Sequence, residues 1–163
     1  MATAPSLKSH APPTSARVAD FLMPTAVMTE VFAADKQQLL VELARRAGSA
    51  LAVPPDHLLA ELMKREELGS TAIGGGVAIP HARFHQVGKP FGLLVRLRKP
   101  IEFDAVDGKP VDIVFLLLLP GTPDGKQLGS LASIARKLRD PAVAASLRQA
   151  RDGTELYRRL TEG

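Results

Sequence analysis

One segment of the sequence limits the possible folds more than any other. From Val111 to Leu119 the chain is apolar at almost every position. A strand of this composition is typical of the centre of a sheet that is covered on both faces. The longest uninterrupted apolar run, Ile113 to Pro120, is far shorter than the ~20 residues that a membrane-spanning helix needs. The segment therefore predicts a central β-strand.

The rest of the sequence predicts shorter strands and several helices. Apolar residues at four-residue spacing indicate a helix from Asp35, and Pro55 can open a second one because a first-turn proline loses no intrahelical bond. We expect further strands at 26–28, 77–79 and 91–97, and further helices at 126–139, from 141 and from 153. Helices before, between and after the strands predict an α/β fold, a three-layer mixed β-sheet flanked by helices in a single domain.

Two regions of different composition divide the chain. Residues 1–19 are rich in Ala, Pro, Ser and Thr and show no apolar period, which predicts a flexible N-terminal tail. The folded domain is expected over 20–163. The first residues contain no apolar stretch of the signal-peptide type, so we expect a cytoplasmic protein without membrane insertion.

Composition excludes several classes of function. The chain has no cysteine, which excludes disulfides, thiolate metal sites and cysteine nucleophiles. The formal net charge is +4, but basic and acidic residues are interspersed. A nucleic-acid-binding protein is expected to cluster its basic residues on one face, so we expect no nucleic-acid partner.

The segment from residue 65 to residue 83 contains the groups best suited to chemistry. Arg65 offers a permanent cation with a planar fork of donors, and Ser70-Thr71 offers two hydroxyl donors. Gly74 to Gly76 can form a loop that presents backbone N–H groups. After a short apolar strand, Pro80 fixes the backbone and projects His81 at the strand end.

These groups together match the needs of a phosphorylated histidine. The reacting ring nitrogen must carry a lone pair, while the other nitrogen is held as a hydrogen-bond donor. The phosphoryl oxygens need donors and a cation, which predicts roles for Arg65, Ser70, Thr71 and the backbone of Gly74 and Gly76. His81 is the predicted acceptor.

Other interpretations of the same residues remain open at this point. A histidine after a strand can be a structural residue, and three glycines can form a simple hairpin loop. His81 and His85 have a four-residue spacing, but Pro80 argues against a helix and no third ligand is evident, so we predict no metal site and no cofactor. The glycines lack the Lys that follows them in a P-loop and the helix that follows them in a dinucleotide fold.

The same residues resemble a known family. The sequence is similar to the enzyme IIA proteins of the bacterial phosphotransferase system, fructose/mannitol type, and most like their nitrogen-regulatory members. The resemblance covers about residues 20–162. Its motifs are Arg65-Glu66, Gly69-Ser70-Thr71, Gly74, Gly76, Val77-Ala-Ile-Pro-His81, Pro100-Ile101, Phe103-Asp104 and Pro110-Val-Asp112.

The resemblance implies a specific function. His81 would accept a phosphoryl group from a histidine-phosphorylated carrier protein of the HPr or NPr kind, and Arg65 would help to hold that group. The protein would be a phosphotransferase component with a phosphohistidine intermediate, acting mainly on regulatory target proteins in nitrogen or carbon control. A sugar-specific enzyme IIA that feeds a membrane permease is the alternative role.

One position departs from the family pattern. Members usually have a second histidine beside the active one, just before a Leu-x-x-Leu helix motif, and here that position is Gln127. Glutamine can form hydrogen bonds to His81 or to a phosphoryl oxygen, but it cannot share a proton as imidazole does. A regulatory binding module impaired in phosphorylation is therefore a further alternative.

Overall fold

The computed structural model describes residues 16–122, the backbone of 125–128 and residues 129–162. Most of the predicted tail and the side chain of Gln127 lie outside these residues. Val18, in a short 3₁₀-helix over Val18–Asp20, is buried in the core. Ala16 also packs against the core, so packing begins four residues before the predicted start of the domain. The flexibility of the preceding residues stays a prediction.

Within these described residues, six strands and five α-helices form one layered unit. The strands are β1 Val27–Val31, β2 Ala72–Gly74, β3 Val77–Ala78, β4 His81–Phe84, β5 Phe91–Ile101 and β6 Val111–Pro120. The helices are α1 Lys36–Leu51, α2 Pro55–Glu67, α3 Gly125–Arg139, α4 Pro141–Gln149 and α5 Gly153–Thr161. A second short 3₁₀-helix, Pro24–Ala26, precedes β1.

The strands form a mixed open sheet in the order β1-β5-β6-β3-β2. β1 runs parallel to β5, β5 runs antiparallel to β6, and β2 runs antiparallel to β3. β3 and β4 both pair in parallel with β6, one after the other along the same edge. The strand that carries His81 is thus attached directly to the central strand.

Local sequence signals explain where the helices begin. The Asp35 side chain accepts a hydrogen bond from the backbone of Gln38 and caps α1. Pro55 is the first residue of α2, as predicted, and Pro141 opens α4 after the Asp140 cap.

The core lies on both faces of β6. Residues Ile113 to Leu118 are fully buried, which confirms the prediction of a central strand. Helices α1 and α2 pack against each other and contact β5 and β4 respectively. The helices α3, α4 and α5 pack in sequence, and α3 contacts β6 while α5 contacts β1. The predicted mixed sheet with flanking helices is confirmed.

The main difference from the predicted elements concerns Pro80. The strand β3 ends before Pro80, as expected, but a further strand that was not predicted, β4, begins directly after it, and there His81 pairs with Leu117. Proline lacks an N–H group, yet its carbonyl accepts a hydrogen bond from the Leu117 backbone at 2.9 Å, so the ladder is interrupted only briefly. Within the described part of the chain, no helix is long and apolar enough to cross a membrane.

Candidate functional site

His81 is the first residue of β4 and lies half-buried against the end of α2. Its Nδ1 atom is 2.8 Å from the carbonyl oxygen of Ile79. A carbonyl oxygen can only accept, so Nδ1 carries the proton and Nε2 carries the lone pair. The Arg65 Nε–H group donates to Nε2 across 3.3 Å. The backbone therefore fixes one tautomer and leaves Nε2 as the nucleophilic nitrogen.

The surroundings of His81 favour the neutral ring. Burial lowers the pKa of His81 below its ordinary value, and the charge of Arg65 lowers it further. The Ile79 carbonyl and the charge of Glu66 act in the opposite direction, and the net pKa shift is downward. The lone pair on Nε2 is thus available at neutral pH.

Arg65 is held in place from two sides. It lies in the last turn of α2, where the helix dipole favours a cation. Its Nη1–H group donates to the carbonyl of Gly69 at 2.9 Å, while Nε faces His81. The guanidinium is therefore already oriented towards the place where negative charge would arrive on Nε2.

Both side chains line an open cleft of about 390 Å³. Its rim includes Leu68, whose side chain is unusually exposed for its size, at 84%. The other lining residues are Glu61, Lys64, Ala82, Arg83, Leu119 and Leu131. Several cations lie near the nucleophilic nitrogen, so the cleft suits an anionic group.

The predicted hydroxyl donors have other partners. The Ser70 hydroxyl donates to the Phe103 carbonyl at 2.6 Å, and the buried Thr71 hydroxyl donates to the Glu66 carboxylate at 2.7 Å. Each hydroxyl has only one proton to donate. The structure does not bring these donors to His81, and a role in holding a phosphoryl group stays a prediction that requires a change of partner.

The predicted glycine contacts are not formed near His81 either. Gly74 and Gly76 have φ angles of 95° and 82° in the turn between β2 and β3. Val77 pairs with Ile113, whereas His81 pairs with Leu117, so about 13 Å of strand separates the turn from the imidazole. In this structure the glycines form the hairpin turn, and their support of a phosphoryl group stays a prediction.

Comparison with known proteins places this geometry in a family. A family model described as "Phosphoenolpyruvate-dependent sugar phosphotransferase system, EIIA 2" matches residues 20–163. The chain belongs to this EIIA 2 family. The match covers the sheet, the helices α1 to α5 and the His81 cleft.

Among individual relatives of this EIIA 2 protein, nitrogen regulatory proteins are prominent. The nitrogen regulatory protein of Bradyrhizobium diazoefficiens is 42% identical over 140 residues, covering 86% of this chain and 92% of the relative. The fructose-specific EIIA component of Haloferax volcanii is 34% identical, covering 69% of this chain and 72% of the relative. The crystal structure of the nitrogen regulatory protein IIA-Ntr from Neisseria meningitidis has a TM-score of 0.83 at 32% identity, covering 88% of this chain and 99% of that one.

The predicted replacement of a second histidine falls near the beginning of α3. Gln127 belongs to α3, but its side chain lies outside the described residues. Leu131, one turn further along α3, lines the His81 cleft. The helix α3 therefore contributes to the cleft through Leu131, and the role of Gln127 stays a prediction.

Sequence reasoning on this EIIA 2 protein assigned no function to two charged residues near the site. Glu66 accepts both donors of Thr71, and Lys36 forms an ion pair with Glu66 at 2.9 Å. Glu66 could have been found, because an acidic residue directly follows Arg65 at the end of a predicted helix. Lys36 is 30 positions away at the start of α1, and no local signal connects it to the site.

His81 and His85 do not lie together as a pair of metal ligands would. His81 is the first residue of β4 and His85 is the turn residue directly after it, so the length of the strand, about 13 Å, separates them. Over the described residues, no group of three metal-ligating side chains is present.

Proposed function

We propose that this EIIA 2 protein accepts a phosphoryl group on Nε2 of His81 from a histidine-phosphorylated carrier protein of the HPr or NPr kind. It then signals with that group or passes it on. The observation that supports this proposal best is the fixed imidazole: Nδ1–H donates to Ile79, and the Nε2 lone pair faces Arg65 in an open cleft.

The transfer balances without a cofactor. The Nε2 lone pair of His81 attacks the phosphorus of the donor phosphohistidine, and the bond between phosphorus and the donor nitrogen breaks. The bonding electrons return to the donor imidazole. No proton has to leave His81, because Nε2 carries none.

Two groups of this chain stabilise the product. Once Nε2 is bonded to phosphorus it no longer accepts from Arg65, so the Nε–H group can donate to a phosphoryl oxygen instead. The ring then carries positive charge, and the Nδ1–H bond to the Ile79 carbonyl becomes a charge-assisted one.

A regulatory role is the preferred form of this function. The relative that is 42% identical is named a nitrogen regulatory protein, and so is the one solved structure compared above. We infer that regulatory proteins are the downstream targets of this chain. The relative named a fructose-specific EIIA component supports the second candidate, in which the phosphoryl group goes on to a permease component.

The replacement of the family histidine by Gln127 supports a third candidate. A protein without a second imidazole could bind partners and accept phosphate slowly or not at all. Gln127 follows Lys126 at the beginning of α3, and the same helix contributes Leu131 to the cleft. The phosphocarrier and the binding module differ in whether His81 becomes phosphorylated.

The first experiment measures phosphate on the intact protein. The wild type, His81→Ala and His85→Ala are incubated with phosphoenolpyruvate, the general phosphotransferase enzyme and a carrier protein, and then weighed by mass spectrometry. His85→Ala is the matched control because His85 lies on the same segment, directly after β4. We expect one acid-labile phosphate on the wild type and on His85→Ala, and none on His81→Ala.

Two results would contradict the proposed function. If the wild type remains unlabelled while another family member is labelled in parallel, the phosphocarrier function is refuted and the binding module is left. If His81→Ala still carries the phosphate, the acceptor has been misassigned.

A further inference from the structure

Glu66 has an unusual environment for a carboxylate. Its side chain is only 6% exposed, one residue before the end of α2. One oxygen accepts the Thr71 backbone N–H at 2.8 Å and the Lys36 ammonium at 2.9 Å. The other oxygen accepts the Thr71 hydroxyl at 2.7 Å. A buried carboxylate with three donors is satisfied and fixed in position.

The bonds of Thr71 connect this carboxylate to the imidazole. The Thr71 carbonyl accepts the backbone N–H of Ile79 at 3.0 Å. The Ile79 carbonyl in turn accepts the Nδ1–H of His81 at 2.8 Å. Three short steps thus link the Glu66 side chain to the group that decides which nitrogen of His81 carries the proton.

Lys36 connects the same carboxylate to the residues after β5. Its ammonium lies 4.7 Å from the centre of the Phe103 ring and 3.3 Å from the Asp104 carboxylate. The Phe103 carbonyl also accepts the Ser70 hydroxyl, directly before Thr71. The segment from Ser70 to Thr71 is therefore held by α1, by α2 and by the residues after β5.

We propose that Glu66 is a positioning residue for His81, holding Thr71 and through it the Ile79 carbonyl where that carbonyl fixes the Nδ1–H tautomer. Lys36 balances the buried charge of Glu66. This role rests on the proposed function, because a fixed lone pair on Nε2 matters only for transfer to that nitrogen. The role of Thr71 is thus to connect Glu66 to β3 and β4.

A purely structural role for Glu66 makes a different prediction. In that case substitutions would lower the stability of the protein but leave the imidazole of the folded protein unchanged. The tautomer of His81 separates the two roles, and ¹⁵N NMR of the histidine ring nitrogens reports it in the unphosphorylated protein.

The test uses Glu66→Gln with Glu67→Gln as its matched control. Glu66→Gln removes the negative charge and leaves one acceptor oxygen where the carboxylate has two, so the side chain can no longer accept from the Thr71 N–H and from the Thr71 hydroxyl on separate oxygens, and its contact with Lys36 loses its ionic character. Glu67 is the next residue of α2, and its side chain forms no hydrogen bond or ion pair with the residues that the structure describes. We expect a mixture of tautomers in Glu66→Gln, and phosphoryl transfer slower by about tenfold or more. Glu67→Gln should retain the wild-type tautomer and rate.

A second pair of variants tests the same connection without changing the charge near His81. Thr71→Val deletes the hydroxyl and leaves the charge of the site unchanged, whereas Thr71→Ser retains the hydroxyl. We expect a mixed tautomer in the Val variant and the wild-type tautomer in the Ser variant. This pair decides the question if Glu66→Gln does not fold.

The outcomes separate this proposal from the function on which it rests. A single wild-type tautomer in both Glu66→Gln and Thr71→Val refutes the positioning role, even if transfer is slow. If the wild type itself accepts no phosphate, the proposed function fails, while the tautomer measurement still decides whether Glu66 positions His81.

Discussion

The two nitrogens of His81 have separate tasks, and Arg65 acts on only one of them. Nδ1 is engaged by the backbone of Ile79, whereas Nε2 receives the Nε–H group of Arg65. The charge of Arg65 lowers the pKa of His81, and its Nε–H group is placed to donate to an incoming phosphoryl group. Removing Arg65 should therefore raise the pKa of His81 and lower the rate of its phosphorylation.

We expect Arg65→Gln to slow phosphorylation of His81 on the order of a hundredfold, because one preorganised donor to the developing charge is lost. The same variant should raise the pKa of His81, because the charge of Arg65 lowers it in the wild type. Burial remains, so the rise is partial. Quenched transfer reactions and an NMR pH titration measure the two effects.

The control for this substitution is Arg45→Gln. Arg45 lies on the exposed face of α1 and pairs with Glu42 at 2.6 Å, away from the cleft. It changes the net charge equally but should alter neither quantity. A pKa of His81 that stays constant or falls in Arg65→Gln would contradict the electrostatic role of Arg65.

Sequence reasoning worked well at this scale where one short segment contained the information. The pattern from Arg65 to His81 predicted that a cation and an imidazole come together, and the structure joins them at 3.3 Å. It could not assign the hydroxyls of Ser70 and Thr71, because their acceptors, Phe103 and Glu66, are decided by tertiary packing. Residue type alone does not show which acceptor a hydroxyl finds.

At the scale of elements, the hairpin between β2 and β3 shows what its glycines do. A Cβ atom on Gly76 would lie 2.5 Å from Nη2 of Arg148, and the φ angle is 82°. Arg148 needs this space because its Nη2 donates to the Gly75 carbonyl and to Asp112. The turn and α4 are therefore joined where a side chain would not fit.

We expect Gly76→Ala to destabilise the protein more than Gly75→Ala. Gly75 has a φ angle of 67°, and a Cβ atom there would meet nothing within 4 Å, so alanine costs only the left-handed backbone, about 1–2 kcal/mol. At Gly76 a Cβ atom would also displace the Arg148 guanidinium from its bonds to Gly75 and Asp112, which adds about 1 kcal/mol. Urea denaturation of both variants measures the difference, and equal losses would refute the packing role of Arg148.

The elements also show which signals a sequence carries. Asp35, Pro55 and Asp140-Pro141 mark helix starts through local capping, and each was predicted correctly. β2 and β4 were not predicted as strands, because they are short and owe their conformation to pairing with β3 and β6. Pro80 correctly marked the end of β3, but nothing local showed that pairing with β6 resumes at His81.

At the scale of the whole molecule, the helix that stabilises one edge of the sheet is remote from the site. α5 contacts β1, and its residue Leu156 is fully buried. His81 lies on β4, and β5 and β6 separate β4 from β1 in the sheet. Stability and transfer should therefore respond to different substitutions.

We expect Leu156→Ala to lower the free energy of unfolding by about 2–5 kcal/mol, because it leaves a cavity in the core. The folded fraction should still be phosphorylated on His81 at the wild-type rate. Thr154→Ala, an exposed change on the same helix, serves as the control. A reduced rate in folded Leu156→Ala would show that the two edges of the sheet are coupled.

The attachment of His81 to the central strand has a consequence for the rate of phosphoryl exchange. Because β4 is hydrogen-bonded to β6 from its first residue, the backbone that carries the reacting imidazole is part of the sheet. Under the proposed function, exchange with a donor is then governed by collision and departure of the two proteins. The phosphorylated fraction of the protein would then follow the phosphorylated fraction of its donor, and its targets would distinguish the two forms by the charge that the phosphoryl group adds beside Arg65.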